Sequence, residues 1–289
     1  MLRCIFICSL LLIGCNSGQL VEMEGKDVRV ANPPNMVQLD GNLFMDRSEI
    51  TNLDWLEYLS WLTNVHGKQS DLVQAALPDT TVWRNNEGEI FTPLARNYLR
   101  HPSFHNYPVV GISYTQALAY SKWRSSRVAE QLLLRAGLME ANLLNGINGE
   151  FDLEKFAAGE IQGLVQSGSI LVPEFRLPTA GELRLAMEKT YPDVGTSDLI
   201  DDEDLIERTN TADNEAASFT TAGLTKRGKK HISHLIGNVA EMTNEQGLAL
   251  GGSWYHALEA SLPDQQLHYK QASSWLGFRN VASWRRIDW

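Results

Sequence analysis

Cysteine is nearly missing from this chain. Of 289 residues only three are Cys, and Cys4, Cys8 and Cys15 all lie near the N-terminus. Beyond position 15 the chain can form no disulfide, present no thiol nucleophile and offer no thiolate to a soft metal ion. Basic charge is also scarce, with 25 Lys and Arg against 35 Asp and Glu and a net charge of −10. That balance argues against a nucleic-acid partner, which needs a basic surface to displace counterions. The densest basic run, Lys226-Arg227-Gly228-Lys229-Lys230, has no aromatic residue interleaved and reads as a solvated loop. No apolar run approaches the roughly 20 residues of a membrane-spanning helix. Internal repeats and low-complexity segments are absent as well.

The N-terminus carries an address. Arg3 precedes an apolar run from Cys4 to Ile13, which ends in Leu12-Ile13-Gly14-Cys15. A basic residue, a short apolar core and a small residue before the cut form an export signal, and these four residues resemble the lipobox of bacterial lipoproteins. The resemblance implies that residues 1–14 are a signal peptide and that lipid is attached to Cys15. Acyl chains bury at about 0.8 kcal/mol per methylene, so several on one cysteine give a durable membrane anchor. Residues 15–35 then read as a polar tether ending in Pro33-Pro34. The expected location is the cell envelope, on the outer membrane at its periplasmic or surface face. Processing removes Cys4 and Cys8 and lipidation consumes Cys15, leaving a domain from 36 to 289 without a free thiol.

Three pairs mark helix starts: Thr51 with Asp54, Ser113 with Gln116, and Thr179 with Glu182. In each, a hydroxyl and a side chain three residues later can satisfy orphan amides reciprocally. They predict helices from 52 to about 65, from 114 to about 134, and after Thr179. Trp55, Leu56, Leu59 and Leu62 share a face of the first, Ala117, Tyr120 and Trp123 of the second, and Leu183, Ala186 and Met187 of the third. These stripes read as core. Met36 to Asp40 and Leu43 to Asp46 read as strands, and Tyr107 to Ile112 as a short buried strand. Trp275 to Val281 reads as a closing strand. Residues 66 to 106 read as a long polar connection. Residues 137 to about 170 read as an insertion, with a weakly amphipathic piece from Leu153 to Val165. Asp198 to Glu207 reads as a solvated acidic loop. The class is α+β with a high loop content.

The block from Leu235 to Asn244, with Gly251-Gly252-Ser253-Trp254 after it, organises the rest. Gly237-Asn238 sets a turn inside an apolar run and tolerates positive φ. Paired glycines before a Trp mark a close approach of two backbones under a large ring. Six motifs now stand in fixed order: Phe44 to Asn52, Tyr107 to Ser113, Phe175 to Thr179, Ile236 to Glu241, Gly251 to Trp254, and Gly277-Phe278-Arg279. The ordered set resembles the sulfatase-modifying factor family, whose founding activity is formylglycine generation, over about residues 36 to 283. The resemblance implies a formylglycine-generating-enzyme-like fold related to C-type lectins, loop-rich and with few regular strands.

It also implies a copper ion held by two cysteine thiolates, at positions that fall on His256 and Ser261. Soft Cu(I) is poorly served by other donors, so formylglycine chemistry is not expected. The alternative is a metal-dependent oxidase of the formylglycine-generating type, acting on sulfatase cysteines through other ligands. Calcium is the second implied ion, through the carbonyls of Gly237 and Val239 and the carboxylate of Glu241. The fourth position falls on His234, a poor partner for a hard cation, and Asn210 with Thr211 resembles the start of a second site. The competing reading of Glu241 is a buried carboxylate satisfied by loop amides. No other cofactor is expected.

Two further constellations carry little weight. His231, His234 and His256 could together hold zinc, iron or copper, but their surroundings read as loop. Ser253, His256 and Asp264 have the chemistry of a nucleophile triad, yet one short segment does not fix its geometry. The reading that remains is a non-catalytic envelope lipoprotein that uses its scaffold to bind protein or build an assembly. Lipidated family members without the copper cysteines resemble components of gliding motility and type IX secretion, which implies protein partners in the envelope beside the membrane itself. The face carrying Ser253, Trp254 and Tyr255 corresponds to the family's substrate groove and is the expected binding face. The insertion is a second candidate partner surface.

Overall fold

The three predicted caps form. Thr51, Ser113 and Thr179 each accept from the amide three residues on, and Asp54, Gln116 and Glu182 each bond back to the cap amide. The structure, a computed structural model, describes residues 19–23, 26–83, 90, 92–139, 150–161, 168–192, 209–213 and 232–288. In chain order these give β1 (Gln19–Met23), β2 (Lys26–Val30), β3 (Met36–Asp40), β4 (Leu43–Asp46), α1 (Asn52–His66), α2 (Asp71–Ala75) and α3 (Thr92–Asn97). Then follow α4 (Tyr114–Arg135), α5 (Leu153–Ala157), β5 (Ser169–Arg176), α6 (Ala180–Thr190), β6 (Ala240–Met242), β7 (Leu248–Leu250), β8 (Leu267–His268), β9 (Leu276–Gly277) and β10 (Val281–Asp288).

The chain is mixed helix and sheet, as the resemblance implies. One antiparallel sheet runs β3-β4-β10-β5, and a second runs β8-β7-β6-β9 with β6 and β9 parallel. The largest core cluster lies where α1 and α4 cover the second sheet. Trp55 stacks on Tyr120 at 5.5 Å and meets Phe278 edge-on at 6.1 Å, and all three are buried. A line of small polar residues on α4 lets other segments approach. The Phe175 amide donates to Ser125 Oγ at 2.8 Å, Asn280 Nδ2 to Ser121 Oγ at 2.7 Å, and the Leu153 amide to Ser126 Oγ at 3.1 Å. Each hydroxyl accepts from a buried donor.

Several segments differ from the sequence reading. Part of the stretch read as a tether forms the antiparallel hairpin β1–β2, with Met23 opposite Lys26. Residues 66 to 106 are not unstructured but hold α2, α3 and two short 3-10 turns at Thr80–Val82 and Pro102–Phe104. The buried segment 107–112 makes only a single bridge, Pro108 to Thr51. Gly111 interrupts it at φ +74, pressed so close to Asp79 that an added Cβ would lie 2.5 Å from a carbonyl oxygen. The closing strand is two strands in two sheets, β9 and β10, with Phe278 to Asn280 crossing between them. Met139, Phe151, Leu153 and Phe156 of the insertion are buried beneath α4 with Val172 and Ile287. Within the amphipathic piece Leu153–Ala157 form the turn-and-a-half α5, and residues 162–165 lie outside the described residues. The acidic run, the basic run and residues 1–18 lie outside the described residues. No helix among the described residues is long and apolar enough to cross a membrane.

Candidate functional site

The Gly237-Asn238 turn gathers distant parts of the chain. Both residues have positive φ, +79 and +63. A Cβ on Gly237 would lie 2.6 Å from the Asn210 carbonyl oxygen, so only glycine admits residues 210–211 here. The Asn238 amide donates to Asn210 O at 2.8 Å, and the Trp254 amide donates to Asn238 O at 3.0 Å. Asn238 Nδ2 donates to Glu49 Oε1 at 2.8 Å, while Asn210 Nδ2 donates to Asn238 Oδ1 at 3.2 Å. The Gly237 amide donates to Gly251 O at 2.7 Å. One turn thus aligns the segments at 49, 210, 251 and 254.

Below the turn is a buried ionic cluster that crosses between the sheets. Arg279, between β9 and β10, is fully buried; its Nε and Nη2 donate to Glu241 Oε1 on the central strand β6. It also donates to the carbonyls of Asp46 at 3.1 Å, Ser233 at 2.8 Å and His234 at 3.3 Å. Beside it Asp46 takes a bidentate pair from Arg124, at 2.7 and 2.8 Å. Burial pushes the Glu241 carboxyl up to about 7 against the pull of Arg279. Burial also raises the Glu49 carboxyl, with Arg279 and Asn238 opposing. Glu49 Oε2 and Glu241 Oε2 have no hydrogen-bond partner among the described residues. The role of Arg279 has no local signal, since its partner is 38 residues away in sequence.

The surface above is the turn 252–261. Gly252 has φ +63, and a Cβ there would lie 1.7 Å from Ser261 Oγ, so the paired-glycine expectation of a close approach holds. Ser253 is buried; its Oγ lies 2.7 Å from His256 Nδ1 and accepts from the Tyr255 amide at 3.1 Å. The His256 carbonyl accepts from the Ala212 amide at 2.9 Å, and the Leu258 amide donates to Asp213 Oδ2 at 2.5 Å. Tyr255 is 62% exposed, the most exposed large hydrophobic side chain among the described residues. Its ring meets Trp254 at 5.9 Å and His256 at 5.6 Å, and His256 in turn meets Trp275 edge-on at 4.8 Å. Burial lowers the His256 pKa, favouring the neutral ring. Trp254 is half-buried and packs into this row, not wholly into the core.

The predicted site residues therefore divide. Ser253, Trp254, Tyr255, His256 and Ser261 come together in one turn. Asp264 is exposed and makes no hydrogen bond with Ser253 or His256, so no triad assembles. His231 lies outside the described residues. His234 sits in the left-handed region at φ +55 with its carbonyl toward Arg279. Among the described residues no group of three His, Cys, Asp or Glu side chains is placed to hold a metal ion.

The residues present do not fit the family's copper ion. Position 256 is an imidazole whose Nδ1 is bonded to Ser253, and position 261 is a buried hydroxyl that donates to Ala257 O at 3.0 Å. Two thiolates are what a soft ion needs, and the chain has none beyond Cys15. Nor does the Glu241 set fit calcium. Arg279 already supplies positive charge at Oε1, Asn210 gives its amide to Asn238, and position 234 is an imidazole. Glu241 takes a guanidinium on Oε1, not the loop amides expected for a buried carboxylate, and its Oε2 has no partner among the described residues.

Three solved structures are similar at low identity. Treponema denticola variable protein 1 has 14% identity and TM-score 0.44, covering 92% of this chain and 91% of its own. CarF has 15% identity and TM-score 0.44, covering 88% of each chain. PvdO from Pseudomonas aeruginosa has 14% identity and TM-score 0.46, covering 90% of this chain and 85% of its own. No curated relative matches. Residues 13–284 match the sulfatase-modifying factor enzyme 1-like domain, and with the ordered motifs in the elements just described the chain belongs to that family.

Proposed function

We propose that this chain is a non-catalytic family member, a lipoprotein of the cell envelope that binds a protein partner through the turn carrying Trp254, Tyr255 and His256. The observation that carries the reading is the chemistry at positions 256 and 261. A hydrogen-bonded imidazole and a sealed hydroxyl stand where the family's activity requires two thiolates. What the turn does present is an exposed tyrosine in a row of packed rings, on a backbone held from both sides. Rigid aromatic groups of this kind supply binding energy at low entropic cost. The lipobox supports attachment to the membrane through Cys15, and the family resemblance supports a place in gliding motility or type IX secretion.

Two measurements test it. Full-length protein isolated from native membranes is analysed for copper, iron and zinc. Sub-stoichiometric metal is the expected result, and one equivalent lost with His256→Ala would restore the oxidase reading. A photoreactive phenylalanine analogue at position 255 should give one discrete protein adduct in living cells, whereas the same group at exposed Leu72 should not. Equal adducts from both positions would refute the binding face.

A further inference from the structure

We infer that His256 and Ser261, the positions onto which the family's copper cysteines fall, act as an internal brace, with His256, through Ser253, as the residue that positions Tyr255 for binding. The inference rests on the binding face proposed above. An exposed tyrosine ordinarily samples several rotamers, and fixing it on binding has an entropic cost. Here the freedom is removed in advance. Ser253 Oγ ties together the Tyr255 amide and His256 Nδ1, so one buried hydroxyl sets both the backbone under the tyrosine and the plane of the imidazole beside it. The imidazole is wedged against Trp275 at 87° and stands at 90° to the tyrosine ring, forming a wall on one side while Trp254 forms another. Position 261 closes the loop from below. Its hydroxyl lies over the bare Cα of Gly252 and bonds Ala257 O, pinning the 3-10 turn Leu258–Ser261. An ion between positions 256 and 261 would have to break these bonds. The same two positions therefore serve one structural purpose, and that purpose is directed at the exposed ring of Tyr255.

The test reads the ring itself. The full chain is made with 3-fluorotyrosine, and the fluorine resonance of position 255 is assigned by its loss in Tyr255→Phe. In the wild type its linewidth should match that of buried Tyr120, because the ring tumbles with the protein. His256→Ala and Ser253→Ala should each narrow the line at least about two-fold. His256→Asn, whose amide can occupy the place of Nδ1, should restore the width. The Tyr120 resonance reports the fold in every variant. If His256→Ala moves it, Ser253→Ala and His256→Asn decide. An unchanged line in both alanine variants, or an asparagine variant as narrow as alanine, would overturn the brace. Either result leaves the crosslinking experiment independent: a lost adduct with a broad wild-type line would sink the binding face and keep the brace.

Discussion

Replacing Gly252 by alanine perturbs the turn at its tightest point. The new Cβ would lie 1.7 Å from Ser261 Oγ, 2.3 Å from its Cβ and 2.7 Å from its Cα, so no rotamer of Ser261 relieves the contact. Ser261 is fully buried and its backbone belongs to a 3-10 turn, which leaves little room to retreat. Overpacking of this kind costs about 1–3 kcal/mol. The backbone adds a second cost, because φ is +63, and a non-glycine residue in the left-handed region loses roughly 1–2 kcal/mol. The expected total is about 2–5 kcal/mol. Urea unfolding followed by tryptophan fluorescence measures it as a lower midpoint at unchanged slope. Gly137→Ala separates the two costs, since φ is +68 there but nothing lies within 4 Å of the added Cβ. It should lose only the backbone part. Combining Gly252→Ala with Ser261→Gly should recover the part due to the Ser261 Oγ and Cβ, less about 1 kcal/mol for the lost bond to Ala257, while the 2.7 Å approach to the Cα of residue 261 remains. The steric argument fails if Gly252→Ala costs no more than Gly137→Ala, or if the double variant is no better than the single.

Arg279→Met should be more damaging, on the order of 3–5 kcal/mol, because it strands the buried Glu241 carboxylate and the carbonyls of Asp46 and Ser233; a melting point within a few degrees of wild type would contradict this. Ser125→Ala should cost about 1–3 kcal/mol by orphaning the Phe175 amide, and hydrogen exchange at Phe175 should rise with it. Acidity should act through Glu241, whose folded pKa of about 7 lies above its ordinary 4.5. The native state then holds the extra proton, so this contribution is full below about 4.5 and is lost as pH rises through about 7, at up to about 1.4 kcal/mol per unit. His256, lowered by burial, opposes with a gain as pH rises toward the ordinary histidine range. In a His256→Asn background, stability should fall from pH 5.5 to 8, and adding Glu241→Gln should flatten the curve. A slope that survives Glu241→Gln would place the titration elsewhere.

What could be read from the sequence was local. Each helix start was legible because a cap and its partner are three residues apart, as at Thr51 and Asp54. The close approach at Gly252 was legible because glycine pairs have few other uses beside a Trp. Strand β5 was not, since Pro173 interrupts it. A proline inside a strand is tolerated only where one side has no neighbour, and β5 pairs with β10 alone. The burial of the insertion was hidden because its apolar residues pack not only on the neighbouring α4 but also on Ile287 of β10, far away in sequence. The same holds for Arg279. Its place in a motif was visible, but the need for it comes from Glu241 and from carbonyls on two other segments. At the turn, Ser253, His256 and Ser261 could be named from the motif, whereas the bond joining Ser253 to His256 needed the backbone in place.

The position of β10 constrains the order of events when the protein is made. This last strand lies between β4 and β5, with Val281 opposite Met45 on one side and Arg176 on the other. Until it emerges from the ribosome, β4 and β5 have no neighbour to join them, and the carboxylate of Asp46 lacks the Asn280 amide that donates to it at 2.9 Å. Pairings across such sequence distances form slowly. The two flanking strands therefore close into one sheet only once residues 281–288 are present to pair with both.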